Sequence, residues 1–148
     1  MIGDSAIAQE KVNAILVEKA ARQLHLLTDW EITHTFAISL GQNPIGHKQK
    51  EGDSRTPEGL YYINGRNPSS SFFRSLSISF PNDTDRRIAK LKGNNPGGDI
   101  VIHGEPNDSI KKINLKKDWT QGCIALKNKD MRLIWHLVEE GTPILIRP

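Results

Sequence analysis

The stretch Ile32-Thr33-His34-Thr35-Phe36-Ala37-Ile38-Ser39-Leu40 alternates apolar and polar side chains with a period of two. A β-strand sends successive side chains to opposite faces, so this pattern predicts a strand with one buried face. Ile32, Phe36, Ile38 and Leu40 share that face, and His34 has their parity, as a strand residue near a sheet edge. Upstream, Ala14, Leu16 and Glu18, then Leu24, Leu26 and Thr28, flank the short segment Lys19 to Arg22, which reads as a hairpin. Downstream, Leu60 to Ile63 reads as a strand ending in an Asn64-Gly65 turn, and Leu76 to Phe80 as another. Asp83 or Thr84 caps a short helix through Leu91, which Gly93 stops. Ile100-Val101-Ile102 is a short buried-type strand, and Pro143 to Arg147 a last one. Between them, Asn128 is the expected N-cap of a helix whose stripe is Met131, Ile134, Trp135 and Val138, with Gly141 at its end. Many short strands with one or two helices make a mostly-β domain.

The 148 residues suit one domain. Residues 1–11 read as a flexible N-terminal segment and 12–148 as a single domain. Twenty Lys+Arg against seventeen Asp+Glu leave a net charge of +3. No dense basic stripe accompanies it, so nucleic acid is not a partner, while an anionic substrate suits the charge. One cysteine excludes an internal disulfide framework and any multi-cysteine metal site. No His pair stands at i,i+4 spacing with a Glu base, so no metal is expected. No apolar run reaches the ~20 residues of a membrane span, so no integral membrane segment is expected. Met1 to Glu10 lacks a basic and then apolar leader pattern. Ala6-Ile7-Ala8 resembles a signal-peptidase site, but too little chain precedes it. The protein is then cytosolic, or its leader was removed.

Chemistry concentrates in two short motifs. Cys123 follows Gly122 in Thr120-Gln121-Gly122-Cys123-Ile124, where the glycine permits a tight turn or a close substrate approach. A lone cysteine is more commonly a buried packing residue. His103 changes the balance: it ends the apolar strand, and Gly104 follows it. An imidazole there can take the thiol proton, and the thiolate can attack an amide carbonyl to give a thioester. His103 then protonates the leaving amine. His precedes Cys by twenty residues, unlike the papain-type order or the ~50-residue caspase interval. Trp119 can floor a pocket or simply pack. Lys111, Lys112, Lys116 and Lys117 form a solvated loop or attract substrate carboxylates. The turn-rich connection 41–59 and the 105–118 loop are expected to shape the catalytic surface.

Together these motifs resemble the L,D-transpeptidase catalytic domain, the YkuD family. The residues are Gly97-Gly98-Asp99-Ile100-Val101-Ile102-His103-Gly104 and Asp118-Trp119-Thr120-Gln121-Gly122-Cys123-Ile124-Ala125-Leu126. Asn128 and Asp130, and Lys50-Glu51-Gly52-Asp53-Ser54-Arg55-Thr56-Pro57-Glu58-Gly59 upstream, resemble further family segments. The likeness runs from about Val12 to Pro148. It implies a β-sandwich or barrel with one or two helices, one of them near the C-terminus, and the cysteine in a cleft. It implies a cysteine acyltransferase of the bacterial envelope, periplasmic, acting on peptidoglycan stem peptides without a cofactor. Cys123 would be the nucleophile and His103 the base and acid, with the Gly104 carbonyl orienting the imidazole. Backbone N–H groups around Gly122 and Cys123 would hold the oxyanion, with Thr120, Gln121 and Trp119 around the substrate.

Two positions depart from many members: Gln121 stands where they have His, and Ala125 where they have Arg or Asn. Both are similar to a YafK-like subgroup, one member of which is an amidase that releases a lipoprotein from peptidoglycan. Three readings follow. One is an L,D-transpeptidase making 3–3 crosslinks or exchanging a lipoprotein or D-amino acid. The second is a hydrolase of the same fold, an L,D-carboxypeptidase or amidase. The third is a non-catalytic peptidoglycan-binding module. The enzyme readings expect a thiolate of depressed pKa beside His103, and the module an ordinary protonated thiol.

Overall fold

The computed structural model describes residues 11–113 and 115–148, so residues 1–10 of the expected N-terminal segment lie outside the described residues. The strands are β1 (Ala14–Glu18), β2 (Gln23–Thr28), β3 (Glu31–Ala37), β4 (Gly59–Ser70), β5 (Phe73–Ile78), β6 (Val101–His103), β7 (Ile124–Ala125) and β8 (Pro143–Arg147). The helices are α1 (Asp83–Leu91), α2 (Ser109–Ile113) and α3 (Asn128–Leu137). The sheet order is β3-β2-β1-β8-β4-β5-β6-β7, with β1/β8 and β6/β7 parallel and the other neighbours antiparallel.

Two features turn this sheet into a closed body. The first is β4, twelve residues long, whose start pairs with β8 and whose remainder pairs with β5. A register irregularity between Ile63 and Gly65 marks the change of partner. Asn64-Gly65 is therefore a bulge inside a strand and not the predicted hairpin turn; the chain reverses later, between Ser70 and Phe73. The second feature is the seam between the two ends of the sheet. After β3 the chain continues into two isolated bridges, Ser39 with Ala125 and Gly41 with Thr120. Ser39 and Ala125 exchange both backbone hydrogen bonds, at 2.8 and 2.9 Å. The two edges thus satisfy each other.

Side chains from both halves meet in one core. Ile15, Val17, Leu24, Leu26, Tyr61, Ile144 and Ile146 come from one half, and Leu76, Ile78, Ile102 and Ile124 from the other. From the alternating stretch, Phe36, Ile38 and Leu40 are buried as predicted. Ile32 is not, at 53% exposed. The β2–β3 register slips between Leu26 and Leu27, which inserts Thr33 and breaks the alternation. His34 lies on the edge strand and stacks on Phe36.

The helices close the flanks. α1 is capped by Asn82, one residue before the predicted cap, in a reciprocal pair with Asp85. Asp85 also accepts from the buried Tyr61 hydroxyl at 2.7 Å and binds His47 Nε2 at 2.9 Å, tying the helix to β4 and to the 41–59 connection. α3 buries Met131 and Ile134. Trp135 lies at the core rim with the Arg66 guanidinium 3.9 Å from its ring centroid. The lysine-bearing segment read as a loop contains the short helix α2.

Candidate active site

The seam that closes the sheet carries Cys123. Thr120 pairs with Gly41 on one side of it and Ala125 with Ser39 on the other, so both flanks of the turn 121–123 are anchored. Thr120 is buried and braces the turn twice: its Oγ1 donates to the Cys123 carbonyl at 2.6 Å and accepts from the Gly122 N–H at 3.1 Å. Gly122 has φ +136°, and a Cβ there would lie 2.8 Å from the Arg55 carbonyl oxygen. Gly41 is tighter still, since a Cβ would meet the Ser54 carbonyl oxygen at 2.1 Å. The 41–59 connection is therefore packed backbone to backbone under the cysteine turn.

Asp118 ties this segment to the first hairpin. It takes a forked pair of hydrogen bonds from Arg22 and one from the Leu40 N–H. Burial alone would raise its carboxyl pKa, but Arg22 and the Leu40 amide outweigh that and hold it below the usual range.

The parallel β6/β7 pairing sets Ile102 opposite Ile124 and His103 opposite Ala125. Extending that register sets Cys123 beside Val101, whose side chain shares a strand face with His103. The Val101 N–H points to Cys123 Sγ at 3.4 Å, and the thiol donates to the Asp99 carbonyl at the same distance. His103 is buried, and its Nδ1 lies 2.7 Å from the Gly104 carbonyl. A carbonyl only accepts, so Nδ1 carries the proton and Nε2 keeps its lone pair. Gly104 has no room for a side chain, because a Cβ would meet Asn128 Oδ1 at 2.4 Å and Phe73 Cβ at 3.0 Å. Asn128 serves here as a brace rather than as the predicted helix cap, which is Lys127. It accepts from the Glu105 N–H and donates its own N–H to the Glu105 carboxylate.

Two clefts of about 560 Å³ each meet at the cysteine. One is lined by Phe72, His103, Lys111, Lys116, Trp119 and Thr120; the other by Lys48, Glu51, Ser54, Gly97 and Asp99. Gln42, Gln121 and Cys123 line both. Both the 41–59 connection and the 105–118 loop contribute residues to these clefts. Of the four lysines, Lys111 and Lys116 face the cleft, and Lys112 pairs with Glu105 at 3.4 Å. Of the residues singled out from the sequence, Cys123, His103, Trp119, Thr120 and Gln121 line a cleft, while Gly104 and Gly122 stand behind it as packed backbone. Phe72 was missed. Its ring stacks on His103, centroids 4.5 Å apart, and only an aromatic pair in a serine-rich turn hinted at it.

The electrostatics differ from the expected thiolate–imidazolium pair. Burial pushes the Cys123 thiol above its ordinary value; the Val101 N–H and Lys48 oppose this, and Asp99 adds to it. Burial pushes the His103 imidazole below its ordinary value, with the Gly104 carbonyl pulling part of the way back. Both shifts favour the uncharged form of the group, thiol at Cys123 and neutral imidazole at His103. Such a site can take a proton from sulfur at the moment of attack and hold the charge only briefly. Among the described residues no three His, Cys, Asp or Glu side chains form a group suited to a metal ion. No described helix is long and apolar enough to cross a membrane.

The mostly-β body thus opens a cleft at its seam that both Cys123 and His103 line. Residues 12–146 match the L,D-transpeptidase catalytic domain (YkuD), and the chain belongs to that family. It is 30% identical over 111 residues to YafK of Escherichia coli (strain K12), provisionally named an L,D-transpeptidase; the match spans 74% of this chain and 38% of that protein. Among solved structures it is similar to the helical cell shape determining protein Pgp2 from Campylobacter jejuni. The identity is 27% and the TM-score 0.70, covering 92% of this chain and 47% of that one. An L,D-transpeptidase from Xylanimonas cellulosilytica, at 15% identity and TM-score 0.59 over 95% of this chain and 62% of that one, shares the fold. The chain spans about two fifths of YafK and about half of Pgp2.

Proposed function

We propose that this domain is a cysteine acyltransferase of the bacterial envelope that acts on peptidoglycan stem peptides through a Cys123 thioester. The observation that carries the reading is the shared cleft: His103, with its Nε2 lone pair fixed by the Gly104 carbonyl, opens onto the same cavity as Cys123. The Sγ–H bond breaks as Nε2 takes the proton, and the sulfur pair attacks the carbonyl of the stem-peptide residue before the terminal D-amino acid. The amine leaves with the proton from His103. The oxyanion needs N–H donors. The Gly122 N–H is already given to Thr120, so the role falls to the Cys123 N–H rather than to both. Lys111 and Lys116 supply positive charge for the substrate carboxylates. An amine or water resolves the thioester, giving L,D-transpeptidation in the first case and L,D-carboxypeptidase or amidase activity in the second. An envelope lipoprotein is one partner such an acyl-enzyme can take or release.

Because burial raises the Cys123 thiol, reactivity of the free protein does not separate an enzyme from a peptidoglycan-binding module; the acyl adduct does. Wild type and Cys123→Ala are incubated with a disaccharide-tetrapeptide and read by intact mass. A wild-type adduct of the acyl mass, absent from Cys123→Ala, is expected. Crosslinked dimers then mean transfer to an amine, and tripeptide alone means hydrolysis. With no adduct and no turnover of the tetrapeptide or of a lipoprotein-linked stem peptide, the enzyme reading falls.

A further inference from the structure

One side chain in the cleft has no part in the acyl transfer described so far. Phe72 sits in the β4–β5 turn, its ring within 26° of parallel to the His103 imidazole. Trp119 stands next to both rings, 5.4 Å from the imidazole and 5.7 Å from Phe72, so the base lies in an aromatic corner. The turn that presents Phe72 is pinned. Its N–H donates to Ser70 Oγ at 3.0 Å, and the neighbouring Phe73 N–H donates to Asn107 Oδ1 at 3.0 Å. The Phe72 carbonyl accepts from the Gly104 N–H at 2.8 Å, so the ring and the imidazole are referenced to one another through a single backbone bond.

We propose that Phe72 is a positioning residue for His103: its ring fixes the imidazole plane and gives the imidazolium an aromatic face while the thiol proton is on Nε2. This rests on the reading of His103 as the base. A cation over an aromatic face within about 6 Å is stabilised, and more so where water is excluded. Neutral imidazole gains much less from the same face. Phe72 thus favours the transient charged state and offsets part of the burial that opposes it. The charged and titratable groups around the ring are few. Cys123, Lys111 and Lys116 line the same cleft. Glu105 follows on the same segment and pairs with Lys112, and Asp118, held by Arg22, precedes Trp119.

The test compares wild type, Phe72→Leu and Phe72→Tyr by NMR titration of His103 and by the rate of Cys123 acylation against pH. Phe72→Leu keeps bulk and loses the aromatic face, so His103 is expected to titrate about half a pH unit lower. The acid limb of acylation moves with it, and the plateau rate falls about three-fold or more. Phe72→Tyr keeps the face and the wild-type titration. If Phe72→Leu does not fold, pentafluorophenylalanine at position 72 keeps the ring shape, reverses its quadrupole and should lower the titration likewise. An unchanged His103 titration in folded Phe72→Leu or in the fluorinated protein overturns the proposal. The titration needs no substrate. A shift without any acylation therefore supports the Phe72–His103 coupling and counts against the proposed function. Acylation with an unmoved titration counts against Phe72 alone.

Discussion

At the scale of single residues, backbone groups hold both side chains of the candidate site: the Gly104 carbonyl holds His103, and the Val101 N–H and Asp99 carbonyl hold Cys123. Cys123 and His103 are each displaced by burial toward the uncharged form, the thiol upward and the imidazole downward. The signs give a pH window. A thiol whose folded pKa is raised contributes stability below its unfolded value, and that contribution is lost as pH rises through the folded value. An imidazole whose folded pKa is lowered contributes stability above its unfolded value, and loses it as pH falls through the folded one. The same burial governs reactivity. Iodoacetamide labelling of Cys123 in the substrate-free protein is expected to keep rising past pH 9.0, the ordinary thiol value. Labelling followed by mass spectrometry checks this, and a rate already level at pH 7 would show a resting thiolate and refute it. Both candidate residues were legible as residue types: a glycine beside a cysteine and a histidine at a strand end carry their own chemistry. Their charge state was not, because it depends on how deeply the seam buries them.

At the scale of elements, short contacts between distant segments hold the cysteine turn. The salient one is Asp118, which joins the β1–β2 hairpin, the chain after β3 and the Cys123 segment through Arg22 and the Leu40 N–H. Asp118→Ala removes four hydrogen bonds, three of them from the Arg22 guanidinium, and leaves that partly buried cation without its carboxylate. A loss of about 2–3 kcal/mol is expected in urea unfolding, with acylation reduced beyond that because the Thr120–Cys123 turn loses its anchor. Wild-type stability together with wild-type acylation would show that the seam bridges alone suffice. Most strands were legible from their alternation, since a half-buried strand writes its period directly into the sequence. Two of the exceptions share a cause. Thr33 and Asn64 are bulge residues, and a bulge shifts parity by one without leaving a composition signal. The Asn64-Gly65 pair looks like a hairpin turn, yet its strand continues because β5 pairs on past it.

At the scale of the whole molecule, the question is what keeps the 41–59 connection rigid enough to floor the site when it has so little regular structure. Its sequence, dense in Gly and Pro, reads as a turn-rich connection; the structure shows it clamped. Lys19, from the end of the first hairpin strand, is 2% exposed and reaches into it. Its ammonium donates to the Gly46 carbonyl at 2.9 Å, the Thr56 carbonyl at 2.8 Å and the Glu58 carboxylate at 3.0 Å. Burial lowers its pKa and Glu58 works against that, as expected for a desolvated charge kept by its partner. Lys48 and Asp53 form a second internal pair at 2.9 Å, and Asp53 is held at about 2. Burial alone would raise the Asp53 pKa, but the ammonium and three backbone amides outweigh it. Lys19→Met keeps the stem and removes the charge, leaving Glu58 and the two carbonyls without their donor. Breaking one side of a buried pair is expected to cost about 3 kcal/mol, read from the urea midpoint. Amide exchange across residues 42–59 should quicken, and Cys123 acylation should fall with it, since Ser54 and Arg55 pack on Gly41 and Gly122. The double variant Lys19→Met/Glu58→Leu removes both charges and should recover part of the loss, because the uncompensated carboxylate goes as well. Exchange in 42–59 as slow in Lys19→Met as in wild type would mean that the glycine contacts and the Asp53 cluster hold the floor without the clamp.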